Sequence, residues 1–183
     1  MLFRSLSEQI TGDLSPAPWP IRLDQLRCHP LPWLSQRDYD HLLWSCDVNF
    51  VRGEDSLVRA LWAQVPFVWH IYPQHDGAHV HKLQAFLAQM LRAFPEPLAQ
   101  RVRQIFFHWN GLTPEASSAA SSEASSAALT MACNAGLSAA ELQDWQTALG
   151  LWLRELRVQE DLTRQLTAFV QPRIGPLKLD VNP

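Results

Sequence analysis

Residues 47–56 read DVNFVRGEDS and decide the predicted fold. The apolar residues 48–51 form a short strand, and Arg52 to Ser56 lead it through a turn into the start of a helix. Such a turn places backbone N–H groups, a guanidinium and carboxylates at the carboxyl edge of a sheet, where open α/β sheets bind ligands. The free N–H groups and positive dipole end of a helix N-terminus suit phosphate. The stretch therefore predicts a site for a phosphate-bearing ligand, which we interpret as a nucleotide sugar.

A second strand and helix follow the same plan. Asp55 or Ser56 is predicted to cap a helix over 57–63 with Leu57, Val58, Leu61 and Trp62 inward. A strand rich in β-forming residues is then expected over 67–71, and a helix over 79–92. Alternating strands and helices imply parallel strands joined by right-handed crossovers. The fold class is therefore α/β, a Rossmann-like parallel sheet with flanking helices.

The crossover geometry brings two polar turns together. Residues 52–56 follow one strand, and residues 72–77 follow the next. Because parallel strands end at the same edge of a sheet, both turns are expected to lie side by side there.

The rest of the chain supplies further elements around this unit. A strand is predicted over 21–28, a helix capped by Ser35 runs through Trp44, and an amphipathic helix covers 97–109. The Ser/Ala-rich stretch over 113–128 has too little apolar bulk to offset its ordering entropy. We interpret it as a flexible insertion without chemistry.

The C-terminal part begins with a capping signal. Ser138 and Glu141 have the spacing of a capping box, and they open a long helix that is extended or restarted as far as Phe169. The tail after Pro172 is expected to fray.

Bulk properties exclude several classes of protein. The chain has 183 residues, 47% of them hydrophobic and 18% charged, as expected of a folded domain with its own core. A net charge of −3 argues against nucleic acid as a ligand, because phosphate neutralisation needs clustered Lys and Arg.

Cys28, Cys46 and Cys133 are widely spaced, which argues against a disulfide framework or a structural zinc site. With no apolar run long enough for a membrane span or a signal peptide, a cytoplasmic protein is expected.

The polar turn at 52–56 also fits an ordinary structural role. Gly53 would then supply backbone freedom, Asp55 would cap the helix and Arg52 would pair with an acid. Two acids and an arginine beside a glycine, after a buried strand, favour a ligand site. The motifs of Ser-His-Asp hydrolases, dinucleotide-binding folds and P-loops are absent from the sequence.

Four histidines lie close together in the sequence, at His70, His75, His79 and His81. His79 and His81 would diverge on a helix, while His70 lies in a strand and His75 in a loop. No ligand triad forms, so we expect no metal site and interpret the imidazoles as solvated or satisfied in the core.

The tryptophans are mostly predicted to be core residues, since their rings carry large apolar surfaces. This group comprises Trp44, Trp62, Trp69, Trp109, Trp145 and Trp152. Trp33 is the exception, because it lies in a proline-containing loop just before Gln36. An exposed ring there could stack on a nucleobase while the amide reads its edge.

A longer run of sequence resembles a known family. Residues 40–56 read DHLLWSCDVNFVRGEDS, and VRA at 58–60 and PFVWHIYPQ at 66–74 follow. Together they resemble the bacterial protein-arginine rhamnosyltransferases of translation elongation factor P. The similarity is dense from about residue 33 to residue 86, fades through the Ser/Ala-rich stretch and returns weakly over 162–170.

The resemblance implies a GT-B fold, in which two Rossmann-like domains face a cleft. The C-terminal domain would bind dTDP-β-L-rhamnose, and the N-terminal domain would supply the general base and much of the acceptor surface. The implied reaction is an inverting transfer of rhamnose to an arginine side chain of elongation factor P, without a metal or another cofactor. A guanidinium and helix N–H groups fixed in advance would stabilise the departing nucleoside diphosphate.

The resemblance also implies roles for individual residues. Trp33 would lie near the thymine, and Gln36 would hydrogen-bond the base. Glu54 would be the acidic residue essential to activity, near the sugar or the reacting guanidine. The remaining predicted contacts to the donor are Arg52, Gly53, Asp55, Ser56, Tyr72 and Gln74.

One part of the family pattern has no counterpart in this sequence. The N-terminal half with its catalytic aspartates is missing, and Asp13 and Asp24 do not lie in a matching motif. The chain is thus expected to begin inside the C-terminal domain. It divides into a nucleotide-sugar-binding region at 1–112 that is incomplete at its N-terminus, an insertion at 113–137, a helical segment at 138–171 and a tail at 172–183.

Such a chain is expected to recognise the donor and to transfer little or no rhamnose alone. One alternative is a truncated, non-catalytic α/β module that binds nucleotide sugars or a partner. A phosphate-handling enzyme of another type has the least support, because no nucleophile or metal motif is present.

Overall fold

The computed structural model of the chain describes residues 20–23, 25–112 and 137–174. Its elements are, in chain order, β1 (Ile21–Leu23), β2 (Leu26–Cys28), α1 (Gln36–Ser45), β3 (Asn49–Arg52), α2 (Glu54–Ala63), β4 (Phe67–His70), α3 (Ala78–Met90), α4 (Glu96–Trp109), α5 (Ala139–Val158) and α6 (Leu162–Ile174). A 3₁₀ turn, Leu91–Ala93, separates α3 from α4. Residues 113–136 of the predicted insertion at 113–137 and residues 175–183 of the predicted tail lie outside the described residues. Within the described part, no helix combines the length and the hydropathy needed to cross a bilayer.

The centre of the fold is a parallel pair of strands. β3 and β4 lie side by side with Asn49 opposite Phe67 and Arg52 opposite His70. Helix α2 makes the crossover between them, as the alternation of strands and helices predicts. The predicted α/β architecture with flanking helices is confirmed, and the carboxyl ends of both strands reach the same edge.

The predicted strand over 21–28 is wrong in form. Its two halves, β1 and β2, pair with each other in antiparallel fashion, with Ile21 opposite Cys28. Among the described residues, the parallel sheet contains β3 and β4 alone. The weak alternation of this stretch does not reveal such a reversal of direction.

Aromatic rings join the helices to the sheet. Phe86 of α3 contacts the rings of Phe67, Trp69, Phe106 and Trp152, with centroid distances from 5.4 to 6.3 Å. Ring pairs of this kind contribute about 0.5–1.5 kcal/mol each beyond the area that they bury. The cluster draws together β4, α3, α4 and α5, so the helix after the insertion shares one core with the strands.

Helix α5 begins as predicted. The Ser138 side chain accepts a hydrogen bond from the Glu141 backbone N–H, and the Glu141 carboxylate accepts one from the Ser138 backbone N–H. These hydrogen bonds from Ser138 lower the pKa of Glu141, and the same carboxylate forms an ion pair with Arg101 of α4. The capping box is confirmed, and it also ties the start of α5 to α4.

Two tryptophans predicted in the core are exposed instead. Trp44 is 58% exposed and Trp62 is 63% exposed, and Val58 beside Trp62 is half exposed. Helix α2 turns the stripe through Leu57 and Ala60 to the core, so its neighbouring stripe at 58 and 62 faces outward. Trp62 is covered in part by the guanidinium of Arg157, whose central carbon lies 5.5 Å from the ring centroid.

Asn110, just after α4, fixes the end of β4. Its Oδ1 accepts a hydrogen bond from the Ile71 N–H at 2.9 Å, and its Nδ2 donates to the Trp69 carbonyl at 2.9 Å and the Phe106 carbonyl at 2.8 Å. One amide thus holds the strand that leads into the 72–77 loop.

Replacing Asn110 should therefore destabilise the fold. We expect Asn110→Ala to lower the free energy of unfolding by about 2–3 kcal/mol, because it leaves partly buried backbone groups without partners. Denaturant unfolding measures the change. Gln104→Ala, on the exposed face of α4, serves as the control and should stay within about 0.5 kcal/mol of wild type. Equal stability of the two variants would contradict this role.

Candidate functional site

The turn after β3 is built on Gly53. Its backbone has φ 82° and ψ 170°, a region that essentially only glycine occupies. A Cβ atom at this position would lie 2.8 Å from the Tyr72 ring, so space as well as conformation requires glycine.

Hydrogen bonds hold Gly53 on both of its peptide groups. Its N–H donates to the His70 carbonyl at 3.1 Å. Its carbonyl accepts from the Leu57 N–H at 3.1 Å and from Trp69 Nε1 at 3.1 Å. The buried Trp69 indole thus locks the first turn of α2 to the end of β4.

The two polar turns meet as predicted. Tyr72 of the 72–77 loop lies against Gly53, and the Arg52 guanidinium lies over the Tyr72 ring with its central carbon 5.1 Å from the centroid. Arg52 forms none of the ion pairs found among the described residues, so the pairing with an acid that belongs to the ordinary structural role of this turn is not observed there. Its charge stays available at the edge of the sheet.

Helix α2 starts one turn earlier than predicted. Glu54 is its first residue, and the preceding Gly53 provides no side-chain cap, so the predicted caps Asp55 and Ser56 are wrong. The N–H groups of Glu54, Asp55 and Ser56 have no partner within the helix, as in any first helical turn. The start of α2 therefore offers free donors beside Arg52, which is the arrangement that binds phosphate.

The acids of this turn are not equivalent. Asp55 Oδ2 accepts from Arg59 Nε at 3.1 Å, and Arg59 Nη1 donates to both carboxylate oxygens of Asp40 at 2.9 and 3.0 Å. The hydrogen bond to Asp40, and next the one to Asp55, raise the pKa of the Arg59 guanidinium above its usual value. Asp55 thus has an ion-pair partner, which it shares with Asp40, whereas Glu54 is exposed and forms no ion pair within the described residues.

The second loop is held through Gln74. Its backbone N–H donates to Nδ1 of the buried His79 at 3.1 Å, and its Oε1 accepts from Lys82 Nζ at 3.0 Å. His79 is thus an imidazole satisfied inside the fold, as interpreted. Asp76 accepts from the Ala78 N–H at 3.0 Å and so starts α3.

The predicted base-binding residues lie before α1. Trp33 is fully exposed in an irregular segment, and Gln36 is the first residue of α1, after the cap Ser35. No ring contact or hydrogen bond joins either of them to Arg52 or Tyr72 among the described residues. Their role in holding a base remains a prediction.

His70 lies opposite Arg52 at the same sheet edge. Burial lowers the pKa of its imidazole, and the nearby Arg52 guanidinium lowers this pKa further. Its Nδ1 is buried without a hydrogen-bond partner. Among the described residues, no three His, Cys, Asp or Glu side chains lie close enough together to hold a metal ion.

Several residues that shape the site escaped the sequence analysis. Asp55 and Arg59 have the i,i+4 spacing of a helical ion pair, so the sequence alone could have predicted their contact. Asp40 is 19 positions from Arg59, and only the packing of α1 on α2 brings them together. The contact of His79 with Gln74 likewise depends on the shape of the loop.

Known proteins share this sequence over most of its length. A family profile described as Elongation-Factor P (EF-P) rhamnosyltransferase EarP matches residues 5–171. The protein-arginine rhamnosyltransferase of Pseudomonas aeruginosa is 37% identical over 152 residues, which cover 80% of this chain and 35% of that protein. The protein of the same name from Shewanella oneidensis is 43% identical over 106 residues, 51% of this chain and 27% of that protein. The chain spans only 27% to 35% of the length of these curated relatives.

A solved structure agrees with the sequence comparison. It is described as the structural basis for EarP-mediated arginine glycosylation of translation elongation factor EF-P. It matches with a TM-score of 0.57 and 30% sequence identity, over 91% of this chain and 48% of that one.

The glycine of the turn gives a direct test of this geometry. We expect Gly53→Ala to lower the free energy of unfolding by about 1–3 kcal/mol, because alanine is strained at this backbone conformation. Adding Tyr72→Ala relieves the steric contact but not the backbone strain, so most of the loss should remain. Denaturant unfolding of the variants measures this. Gly77→Ala is the control, since φ 72° there is left-handed helical and no atom lies within 4 Å of the added Cβ. A Gly53→Ala loss no larger than that of Gly77→Ala would contradict the steric and conformational requirement.

The lowered pKa of His70 predicts a pH dependence of stability. Since the unfolded chain takes up the proton more readily, the stabilisation by neutral His70 is present above about pH 6.5 and is lost as pH falls. His70→Gln should therefore show a smaller loss of unfolding free energy between about pH 7.5 and pH 5.5 than wild type. His81→Gln, at an exposed position of α3, should keep the wild-type pH dependence. An unchanged slope in His70→Gln would show that His70 does not titrate abnormally.

Proposed function

Because the chain belongs to the family of elongation factor P rhamnosyltransferases, we propose that it forms the donor-binding part of such an enzyme. The proposed activity is the transfer of rhamnose from dTDP-β-L-rhamnose to an arginine side chain of elongation factor P, with inversion at the anomeric carbon. The observation that carries the proposal is the meeting of Arg52, Tyr72 and the uncapped start of α2 at one sheet edge.

The diphosphate is assigned to the start of α2. The N–H groups of Glu54, Asp55 and Ser56, which have no partner within the helix, lie there, and Arg52 is two residues before the first of them; both kinds of donor favour an anion. Asp55 lies in the same turn, and it shares the Arg59 guanidinium with Asp40. Gly53 contributes no side chain beside these N–H groups, although the Tyr72 ring packs against Gly53 itself.

The sugar and the base are assigned to the two sides of the diphosphate. Tyr72 is half exposed and presents its ring beside Arg52, and Gln74 is held in the same loop by His79 and Lys82. These side chains are proposed to line the sugar pocket. The base is assigned to Trp33 and Gln36, which lie on the α1 side.

In the proposed reaction, a guanidine nitrogen of the acceptor attacks the anomeric carbon. The bond from that carbon to the diphosphate oxygen breaks, and dTDP leaves with the bonding electron pair. Arg52 and the N–H groups of α2 stabilise this developing negative charge, because they are fixed before the reaction. The exposed Glu54 carboxylate is proposed to stabilise positive charge on the sugar or to orient the acceptor guanidine.

We assign acceptor binding and proton removal to the parts of the longer family members that this chain does not cover. The chain covers about a third of the P. aeruginosa relative, 35%, and none of its described residues is assigned as the base. We propose that the chain corresponds to the C-terminal domain of a GT-B enzyme and that alone it binds the donor but transfers little rhamnose. A cytoplasmic location goes with a translation factor as acceptor.

A binding module without catalysis is the alternative. An apolar hollow of about 240 Å³ between α2 and α5, lined by Val58, Trp62, Leu153 and Leu156 among others, favours a protein-contact role. Calorimetry with dTDP distinguishes the donor-binding proposal from a module that only binds a protein partner. The first predicts binding of dTDP, and the second predicts none.

Arg52 gives the test of the donor site. We expect Arg52→Ala to weaken dTDP binding about 10- to 100-fold, which corresponds to the loss of a charge-assisted hydrogen bond of about 1.5–3 kcal/mol. Arg52→Lys should lie between this variant and wild type, because an ammonium keeps the charge but not the planar donors. Titration calorimetry measures both. Arg92→Ala, at an exposed position after α3, is the matched control and should bind as wild type. No dTDP binding by the wild-type chain would overturn the proposed function.

A further inference from the structure

Arg59 joins two helices beside the proposed site. Its Nη1 contacts both carboxylate oxygens of Asp40 on α1, at 2.9 and 3.0 Å, while its Nε contacts Asp55 on α2 at 3.1 Å. The Arg59 side chain is 21% exposed and that of Asp40 is 31% exposed, so this end of the bridge is partly shielded from water, whereas the Asp55 side chain is 78% exposed. A planar guanidinium can serve both carboxylates at once, which a lysine ammonium does less well.

The bridge connects the faces that carry the proposed ligand contacts. Asp40 is four positions after Gln36 on α1, and Arg59 is four positions after Asp55 on α2. Residues at this spacing share a helix face. The guanidinium therefore links the face of α1 assigned to the base with the face of α2 whose start is assigned to the diphosphate.

A second contact shows which part of α1 depends on the bridge. Asn49 Nδ2 donates to the Leu43 carbonyl at 3.0 Å, and this buried bond attaches the C-terminal half of α1 to β3. Asp40 provides the hydrogen-bonded attachment nearer the N-terminus, where Gln36 begins the helix. Without it, the Leu43–Asn49 bond would hold the C-terminal half of α1, and the first turn with Gln36 would be the less restrained part of the helix.

We propose that Asp40 and Arg59 are positioning residues that set the distance between the base and diphosphate parts of the donor site. This inference rests on the proposed function, and it adds residues that do not themselves touch the donor. It predicts a particular pattern of affinities. Loss of the bridge should weaken a ligand that spans both parts and should spare a ligand that occupies only one.

Asp40→Asn is the decisive variant. It removes the negative charge and one of the two carboxylate acceptors at the α1 end of the bridge, and it leaves the Arg59–Asp55 pair in place, so the charge at the start of α2 is not made more negative. We expect its affinity for dTDP to fall about 10-fold or more, because small misplacements within a bound ligand's site are costly. Its weak affinities for pyrophosphate and for thymidine, measured by NMR titration, should stay within about twofold of wild type.

Two variants of Arg59 extend the test. Arg59→Gln removes the bridge and also leaves Asp55 uncompensated, so it should weaken both dTDP and pyrophosphate. Arg59→Lys should keep the fold and give an intermediate loss for dTDP alone, which keeps the inference testable should Asp40→Asn fold poorly. Arg101→Gln is the matched control, because Arg101 forms an ion pair between α4 and α5 of similar exposure. It should reduce thermal stability without changing any of the three affinities.

The outcomes separate this inference from the proposed function. If wild type binds dTDP and Asp40→Asn binds it equally well, the positioning role is wrong and the donor site stands. If Asp40→Asn weakens pyrophosphate as much as dTDP, the bridge acts on the diphosphate alone and the spacing role is again overturned. If wild type fails to bind dTDP, the proposed function falls and this inference falls with it.

Discussion

The backbone of Gly53 is the contact on which the site depends. Its N–H donates a hydrogen bond to the His70 carbonyl, and its carbonyl accepts hydrogen bonds from the Leu57 N–H and the Trp69 indole N–H. The peptide groups on both sides of one residue therefore join β3, β4 and α2. Because its φ is positive, the chain turns sharply enough for α2 to begin at once, with its first N–H groups facing the same edge as Arg52.

Among the described residues, the two arginines nearest this turn have different partners. Arg59 is engaged by Asp40 and Asp55, whereas Arg52 lies on the Tyr72 ring. An aromatic face attracts a guanidinium without neutralising it, so the charge can still meet an anionic ligand. Asp55 and Asp40 share the Arg59 guanidinium, so two carboxylates have one cation between them.

Local patterns in the sequence predicted the fold where local physics decides it. The alternation of strands and helices gave the parallel pair, and the Ser138–Glu141 spacing gave the start of α5. The cap of α2 was predicted wrongly because glycine at the cap position carries no side-chain signal. Trp62 was placed inward because helical spacing alone does not tell which of two adjacent apolar stripes meets the core. The Asp40–Arg59 pair depends on tertiary packing and has no local signature.

Asn110 has one more consequence, which concerns how the sheet ends. Its amide occupies the Trp69 carbonyl and the Ile71 N–H, which point away from β3. Those groups would otherwise act as a template for pairing with a foreign strand, the usual route to edge-to-edge aggregation. The Asn110 side chain thus blocks pairing with another strand at the carboxyl end of β4. Any strand that enlarges the sheet near the site must be added beside β3.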